Sequence, residues 1–232
     1  MNWNREFLQK PEWKEEISNR EEKERIAKII ASKVNDGDVI GFGSGSTSYL
    51  ASIEIAKRVK EENLNIIAIP TSYEIQMLCT YLEIPTASIS EKKPDWCFDG
   101  ADEVNKDNWL IKGRGAAMFN EKLNIASAQK TYILVDGSKI VDKLGTKFAI
   151  PVEVNSKAVN FVKEELLKVG ATEVTLRLAL KKDGPVITEN GNLIFDVRFS
   201  EIDEKLEKKI KNIPGVIESG LFIGYPVEII CN

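Results

Sequence analysis

The sequence predicts an α/β fold: an open, mostly parallel sheet with helices on both faces, plus a smaller α+β unit. Three observations carry this expectation. Up to residue 148, short apolar runs alternate with segments of 3.6-residue hydrophobic period, the order that a parallel sheet with crossover helices requires. Beyond "FAIPVEV" (residues 148–154) the register changes to strands and helices with hairpin pairing. Glycine-rich or acidic segments follow several of the apolar runs, where an open sheet of this kind binds ligands.

The elements follow in order. The first twenty residues carry two Trp, a Pro and many charges, and read either as an arm folded against the body or as a partly ordered terminus. "EEKERIAKIIASKV" sets Ile26, Ile29, Ile30 and Val34 at helical spacing, and Asn35 to Gly37 stop that helix. "DVIGFG" is a short buried strand, "SYLASIEIAKRVKEEN" a helix, and "LNIIAIP" a strand. Then come the helix "SYEIQMLCTYLEI", a short strand "TASI", the apolar stub "PDWCFDGADEV", the helix "NEKLNIASAQ" and the strand "KTYILVDGSK". After residue 154 the pattern is helix "SKAVNFVKEELLKVG", strands "EVTLRLAL" and "LIFDVRF" joined by the turn-rich "KKDGPVITENGN", helix "EIDEKLEKKIKNI", and strands "VIESGLF" and "PVEII". The expected organisation is therefore an arm over 1–20 and a Rossmann-like catalytic domain over 21–148 with a C-terminal strand at about 221–232. A ferredoxin-like unit, a split βαβ, is expected over 149–220.

Composition narrows the chemistry. Thirty-two basic against thirty-six acidic residues give a net charge of −4, so nothing draws the chain to nucleic acid or an anionic membrane surface. An anionic substrate would have to be met locally. No apolar run approaches the length of a membrane span. Cys79, Cys97 and Cys231 lack metal-ligand spacing and read as reduced thiols of a cytoplasmic protein. The chain has no histidine, which excludes a Ser-His-Asp triad and any His-ligated zinc. Proton transfer near neutral pH then falls to carboxylates, Lys, Cys, Tyr or water.

Four segments carry candidate chemistry. In "VIGFGSGSTSYL" (residues 39–50), a strand, a run of Gly43, Ser44, Gly45, Ser46, Thr47 and Ser48, and a helix cluster amide donors at a helix N-terminus, which suits a phosphate. The P-loop Lys and the third glycine of a dinucleotide fingerprint are both missing, and the loop alone also reads as a turn with an N-cap serine. "FDGADEV" places Asp99, Asp102 and Glu103 after an apolar strand; it reads as hydroxyl-binding acceptors, a cation site or an acidic turn. "IKGRGAAMFNEK" puts Lys112 before a second glycine-rich turn, where it could stabilise an oxyanion, and brings Glu121 as a base able to take a proton from carbon. Taken alone, Glu121 and Lys122 read as a solvated helix face, the usual fate of such residues. "VDGSK" offers Lys139 at another strand end, as a phosphate contact or as surface.

In this order the segments resemble ribose-5-phosphate isomerase of type A. The residues that carry the likeness are Gly43-Ser44-Gly45-Ser46-Thr47, Asp99-Gly100-Ala101-Asp102-Glu103, Lys112-Gly113-Arg114-Gly115-Ala116, Asn120-Glu121-Lys122 and Asp136-Gly137-Ser138-Lys139. "PVEV", "GPVITENGN" and "IPGVIESGLF" extend it. The resemblance implies interconversion of ribose 5-phosphate and ribulose 5-phosphate through an enediolate, with no metal and no cofactor, in a homodimer or homotetramer. It assigns Glu121 as general base, and Asp99, Asp102 and Lys112 to the sugar oxygens and ring opening. It gives the phosphate to Gly43, Ser44, Gly45, Ser46 and Thr47 with Lys139 and Lys23, and lines the substrate with Gly100, Ala101, Gly113, Arg114 and Gly115. Ser72 falls in a segment that the family uses near its substrate. Arg114 stands where the family usually has Gly, and Ser44 where it has Thr. Phosphosugar deaminases and phosphogluconolactonases share such a phosphate loop but lack the D-G-A-D-E and K-G-x-G-A pair and use a histidine. A non-catalytic phosphosugar sensor would carry a DNA-binding segment, and none is seen.

Overall fold

A computed structural model of the chain describes Pro11, Trp13 and residues 16–231. In chain order the first elements are α1 (Arg20–Ala31), β1 (Val39–Phe42), α2 (Ser46–Glu62), β2 (Ile67–Pro70), α3 (Tyr73–Tyr81) and β3 (Trp96–Gly100). There follow β4 (Glu103–Val104), β5 (Leu110–Ile111), α4 (Met118–Ser127), β6 (Lys130–Val135) and β7 (Ile150–Val154). The remainder are α5 (Val159–Lys168), β8 (Ala171–Leu176), β9 (Leu193–Phe199), α6 (Leu206–Lys211), β10 (Val216–Ser219), β11 (Leu221–Phe222) and β12 (Val227–Cys231). They gather into two units. One holds the described residues up to Gly100, Asn120–Ser138 and those from Pro226 on; the other holds Ala101–Phe119 and Lys139–Tyr225.

The first unit is built on a five-stranded sheet of order β12-β6-β3-β1-β2 in which every pair is parallel. Strand alternation sorts its side chains by face. Ile40, Phe42, Trp96, Phe98, Tyr132 and Leu134 share one core with Ile26 and Ile30 of α1 and Leu50 and Ile55 of α2. The Phe42 and Phe98 rings meet at 4.9 Å between centroids. The opposite face carries the small side chains of Gly41, Cys97 and Thr131, with Cys97 Sγ 3.1 Å from Thr131 Oγ1. A β-carbon on Gly41 would come within 2.6 Å of Cys97 Cβ and 3.2 Å of the Asn124 amide, so glycine there admits α4 against the sheet.

The second unit contains a four-stranded antiparallel sheet of order β10-β7-β9-β8, with α5 and α6 as its crossovers. This is the split βαβ arrangement expected from the sequence. Ile150, Val152, Val154, Phe195 and Val197 bury against Val162, Leu166, Leu206 and Ile210. A three-stranded sheet of order β11-β5-β4 completes the unit.

The structure draws the boundary differently from the sequence. Residues 101–119 and 139–148 gather with the second unit, because β4, β5 and β11 pair with one another and Glu103 binds the 145–148 turn. Only β12 of the C-terminal segment joins the parallel sheet. "TASI" makes a single parallel bridge, Thr86 to Ala68, rather than a strand. Most of the arm expected over 1–20 lies outside the described residues. Of those described, Trp13 packs at a tilt against Tyr49 at 5.7 Å between centroids, and the Tyr49 hydroxyl donates to the Pro11 carbonyl at 2.9 Å. No helix among the described residues is long and apolar enough to cross a membrane.

Candidate active site

Chain direction places the first part of the site. Because all five strands of the first unit are parallel, their carboxyl ends form one edge, and the connections diverge on either side of β1, toward β2 and β3. Ligands of open α/β sheets bind outside such a switch point. Residues 43–47 leave β1 there. The Gly43 amide donates to the Phe98 carbonyl at 2.9 Å, and a β-carbon on Gly43 would lie 2.3 Å from the Asp99 carboxylate and 2.5 Å from Asp99 Cα. Glycine is thus the residue that lets the loop and the end of β3 touch.

The N-cap of α2 is Gly45, at φ +94°, and it makes no side-chain cap. A serine-capped turn is therefore not what the loop forms. The leading amides of a 17-residue helix lack that partner, which leaves an anion-binding end. Lys23, buried on α1, brings its ammonium to 3.2 Å from Ser46 Oγ, 3.3 Å from Ser18 Oγ and 3.6 Å from Asp136 Oδ2. A cation therefore stands at the first residue of α2. Ser44 Oγ lies 2.8 Å from Thr71 Oγ1 and 2.7 Å from Ser72 Oγ, while Ser72 caps α3 by accepting from the Ile75 amide. Ser48, grouped with the loop hydroxyls on sequence, is fully buried within α2.

Asp99 is 2% exposed and accepts the amides of Gly100 at 2.8 Å and Ser44 at 3.2 Å. It therefore shapes the loop in addition to facing the carboxyl edge. Asp136, at the end of β6, accepts the Ser138 amide at 2.9 Å and also the Ser138 hydroxyl. Burial pushes its carboxyl up, but hydrogen bonds from Ser138 and Asn19 and the Lys23 ammonium outweigh this and hold it below the ordinary value.

The direction of α4 places Glu121. Asn120 Nδ2 donates to the Thr71 carbonyl at 3.1 Å, and Asn124 Nδ2 to the Ile69 carbonyl at 3.0 Å. These contacts run from the carboxyl edge back along β2, so α4 lies antiparallel to the strands with its first turn at that edge. Glu121 sits in this turn, 5% exposed. Asp99 projects to the same sheet face as Cys97, the face that α4 covers. The structure thus brings Glu121, Asp99, Gly100, Lys23 and residues 43–47 to one edge of one unit.

The second unit holds the other sequence-predicted residues. Asp102 accepts the Arg114 amide at 3.1 Å through Oδ2. Lys112 is 2% exposed; its amide donates to the Gly220 carbonyl at 2.9 Å, and its ammonium stands 5.8 Å from the Phe222 ring centre. Gly113 has φ +97°, and a β-carbon there would strike Met118 at 2.7 Å. The Arg114 and Gly115 side of the turn is open: Arg114 is exposed, and nothing lies within 4 Å of a β-carbon on Gly115. Ala101 is half-buried. The Lys139 ammonium lies 5.2 Å from the Phe148 ring centre.

Two residues behave differently from what sequence alone suggests. Glu103 is fully buried and accepts three amides, from Gly145 at 2.6 Å, Lys147 at 2.6 Å and Phe148 at 2.7 Å. Its carboxylate holds a turn rather than a ligand. Arg177, which sequence reasoning passed over, donates to the carbonyls of Gly113 at 3.1 Å and Arg114 at 2.9 Å. A lone Arg at a strand end carries no signal of a contact 63 residues away. Among the described residues no cluster of ligating side chains could hold a metal ion.

Comparison with known proteins gives the lineage. The family model for ribose 5-phosphate isomerase A (phosphoriboisomerase A) matches residues 67–232. The chain is 47% identical over 209 residues to ribose-5-phosphate isomerase A of Methanocaldococcus jannaschii, covering 89% of this chain and 92% of that protein. It is 46% identical over 206 residues to that of a Synechococcus strain, covering 87% and 88%. The solved structure of the Methanocaldococcus jannaschii protein superposes with a TM-score of 0.88, covering 91% of this chain and 95% of that one. A D-ribose-5-phosphate isomerase in complex with phospho-erythronic acid superposes equally well, at 38% identity, covering 93% and 96%. On these matches, which span both units, the chain belongs to the ribose 5-phosphate isomerase A family.

Proposed function

We propose that this chain is an aldose–ketose isomerase interconverting D-ribose 5-phosphate and D-ribulose 5-phosphate, in the non-oxidative branch of the pentose phosphate pathway. The observation that carries the reading is the placement of a buried carboxylate, Glu121, at the sheet edge that also bears the uncapped start of α2 and Lys23. In a histidine-free chain a carboxylate is one of the few side chains able to serve as that base. Glu121 takes the proton from C2 of the open-chain aldose and returns it to C1, while the oxygen-bound proton passes from O2 to O1. The amides of residues 43–47, the hydroxyls of Ser44, Ser46 and Thr47, and the Lys23 and Lys139 ammonium groups hold the phosphate. That grip supplies binding energy which orients the reacting end. Asp99, Asp102 and Lys112 bind the sugar oxygens, the Lys112 ammonium stabilising the enediolate oxygen. Gly100, Ala101, Gly113, Arg114 and Gly115 line the substrate by their place in the family motifs.

Support for the substrate comes from the phospho-erythronic acid bound to a relative, a phosphorylated acid with the carboxylate of an enediolate mimic. The reading extends to a cytoplasmic homodimer or homotetramer, which light scattering of the purified chain would decide. The direct test is a coupled assay for ribulose 5-phosphate formed from ribose 5-phosphate, run with and without a chelator. Turnover in both, inhibited by phospho-erythronic acid, is expected. Tight binding of ribose 5-phosphate without turnover would make the chain a phosphosugar sensor instead.

A further inference from the structure

Arg177 follows β8, and its backbone is fixed on both sides: its amide donates to the Ile194 carbonyl and its carbonyl accepts the Val186 amide, each at 2.9 Å. Its guanidinium is divided between two tasks. Nε donates to Asp196 Oδ2 at 2.9 Å and Nη2 pairs with Asp196 Oδ1, while Nη1 donates to the carbonyls of Gly113 and Arg114. The Asp196 pair sets the plane of the fork, and the rigid fork delivers its remaining donor to the loop.

The peptide between Gly113 and Arg114 is thereby held at both ends. Its carbonyl accepts from Arg177, and its N–H donates to Asp102 Oδ2 at 3.1 Å. That second contact orients the Asp102 carboxylate. Gly113 sits at φ +97°, in backbone space that glycine enters freely. Within the loop its carbonyl also accepts the Ala116 amide at 2.9 Å, so Arg177 reinforces a single turn bond against rotation of this peptide. Rotation would turn the Arg114 N–H away from Asp102. The guanidinium opposes it by binding the carbonyl that would have to swing.

We infer that Arg177, braced by Asp196, is a positioning residue for the isomerase reaction, acting through the Gly113–Arg114 peptide on Asp102. The inference rests on the functional reading above, since it takes Asp102 as a group that meets the sugar. Arg177 touches the loop and not the reacting atoms. Its loss should therefore lower kcat, with little change in KM, as expected when a group is held less well for the transition state.

The experiment compares wild type with R177Q, R177K and D196N by steady-state kinetics, thermal melting, and hydrogen exchange of the Arg114 amide read by NMR without substrate. R177Q should remain folded, lose about 10- to 100-fold in kcat at nearly unchanged KM, and show faster exchange at Arg114. R177K keeps the cation but lacks the fork and should lose nearly as much, while D196N should fall between. If R177Q does not fold, R177K is read by the same criteria. Wild-type kcat in a folded variant, or a rise in KM at constant kcat, overturns the inference. If the wild-type chain does not isomerise ribose 5-phosphate, the functional reading fails; the Arg114 exchange rates then still decide whether Arg177 locks the peptide.

Discussion

Glu121 rides on a backbone that cannot slide along the sheet, because its neighbour Asn120 is tied to Thr71 and Asn124, one turn on, is tied to Ile69. Replacing Glu121 by Gln keeps shape and hydrogen-bonding capacity but removes the base. Turnover should fall by about 10³-fold or more, while phospho-erythronic acid measured by calorimetry should bind nearly as before. Near-normal turnover would take Glu121 out of the mechanism. The cysteines give a second prediction at this scale. Burial pushes the Cys79 thiol up to about 12, and Cys97 is also buried, whereas Cys231 is exposed. A thiol reagent applied to the native protein should modify Cys231 alone, by intact mass; labelling of Cys79 without unfolding would show that its core opens readily.

At the scale of elements, the motif D-G-A-D-E divides its labour. Asp99 ends β3 and shapes the loop after β1, Asp102 holds the Arg114 amide, and Glu103 anchors the 145–148 turn. Removing the Glu103 charge with Gln leaves buried amides short of acceptors. It should cost about 2–3 kcal/mol of stability, read from urea unfolding; a loss below the error of that measurement would refute the anchoring role. The strands and helices were legible because their patterns are local: apolar runs in the parallel sheet, and a 3.6-residue period in α1 and α2. The split βαβ order of β7 to β10 was legible for the same reason. What was not legible is contact over distance. The partners of Glu103 lie more than 40 residues on, and the loop carbonyls that Arg177 binds more than 60 residues back, so one segment showed only an acid and the other only a strand-end Arg. The unit boundary was missed likewise, because β4, β5 and β11 are two-residue strands without a period to read.

At the scale of the whole molecule, with no imidazole in the chain, titration in folding is left to carboxylates at the acid end. Asp136 is held below its ordinary value of 3.8 in the folded state. The unfolded chain therefore takes up that proton first, and the stability it lends is complete above the ordinary value and lost as pH falls through it to the lower folded value. The melting temperature of D136N should thus fall less steeply than that of wild type below about pH 4; parallel acid limbs would remove Asp136 from the account. The same large view gives the strand order a meaning in time. β12 is the last strand of the parallel sheet to be synthesised, and it pairs with β6 along the whole of Val227–Cys231. The whole four-stranded antiparallel sheet, within Lys139–Tyr225, leaves the ribosome between β6 and β12. During translation β6 therefore waits with an unpaired flank, the kind of edge that recruits foreign strands. The four-stranded antiparallel sheet, made in the interval, can mature first, and β6 stays exposed along that flank until β12 emerges.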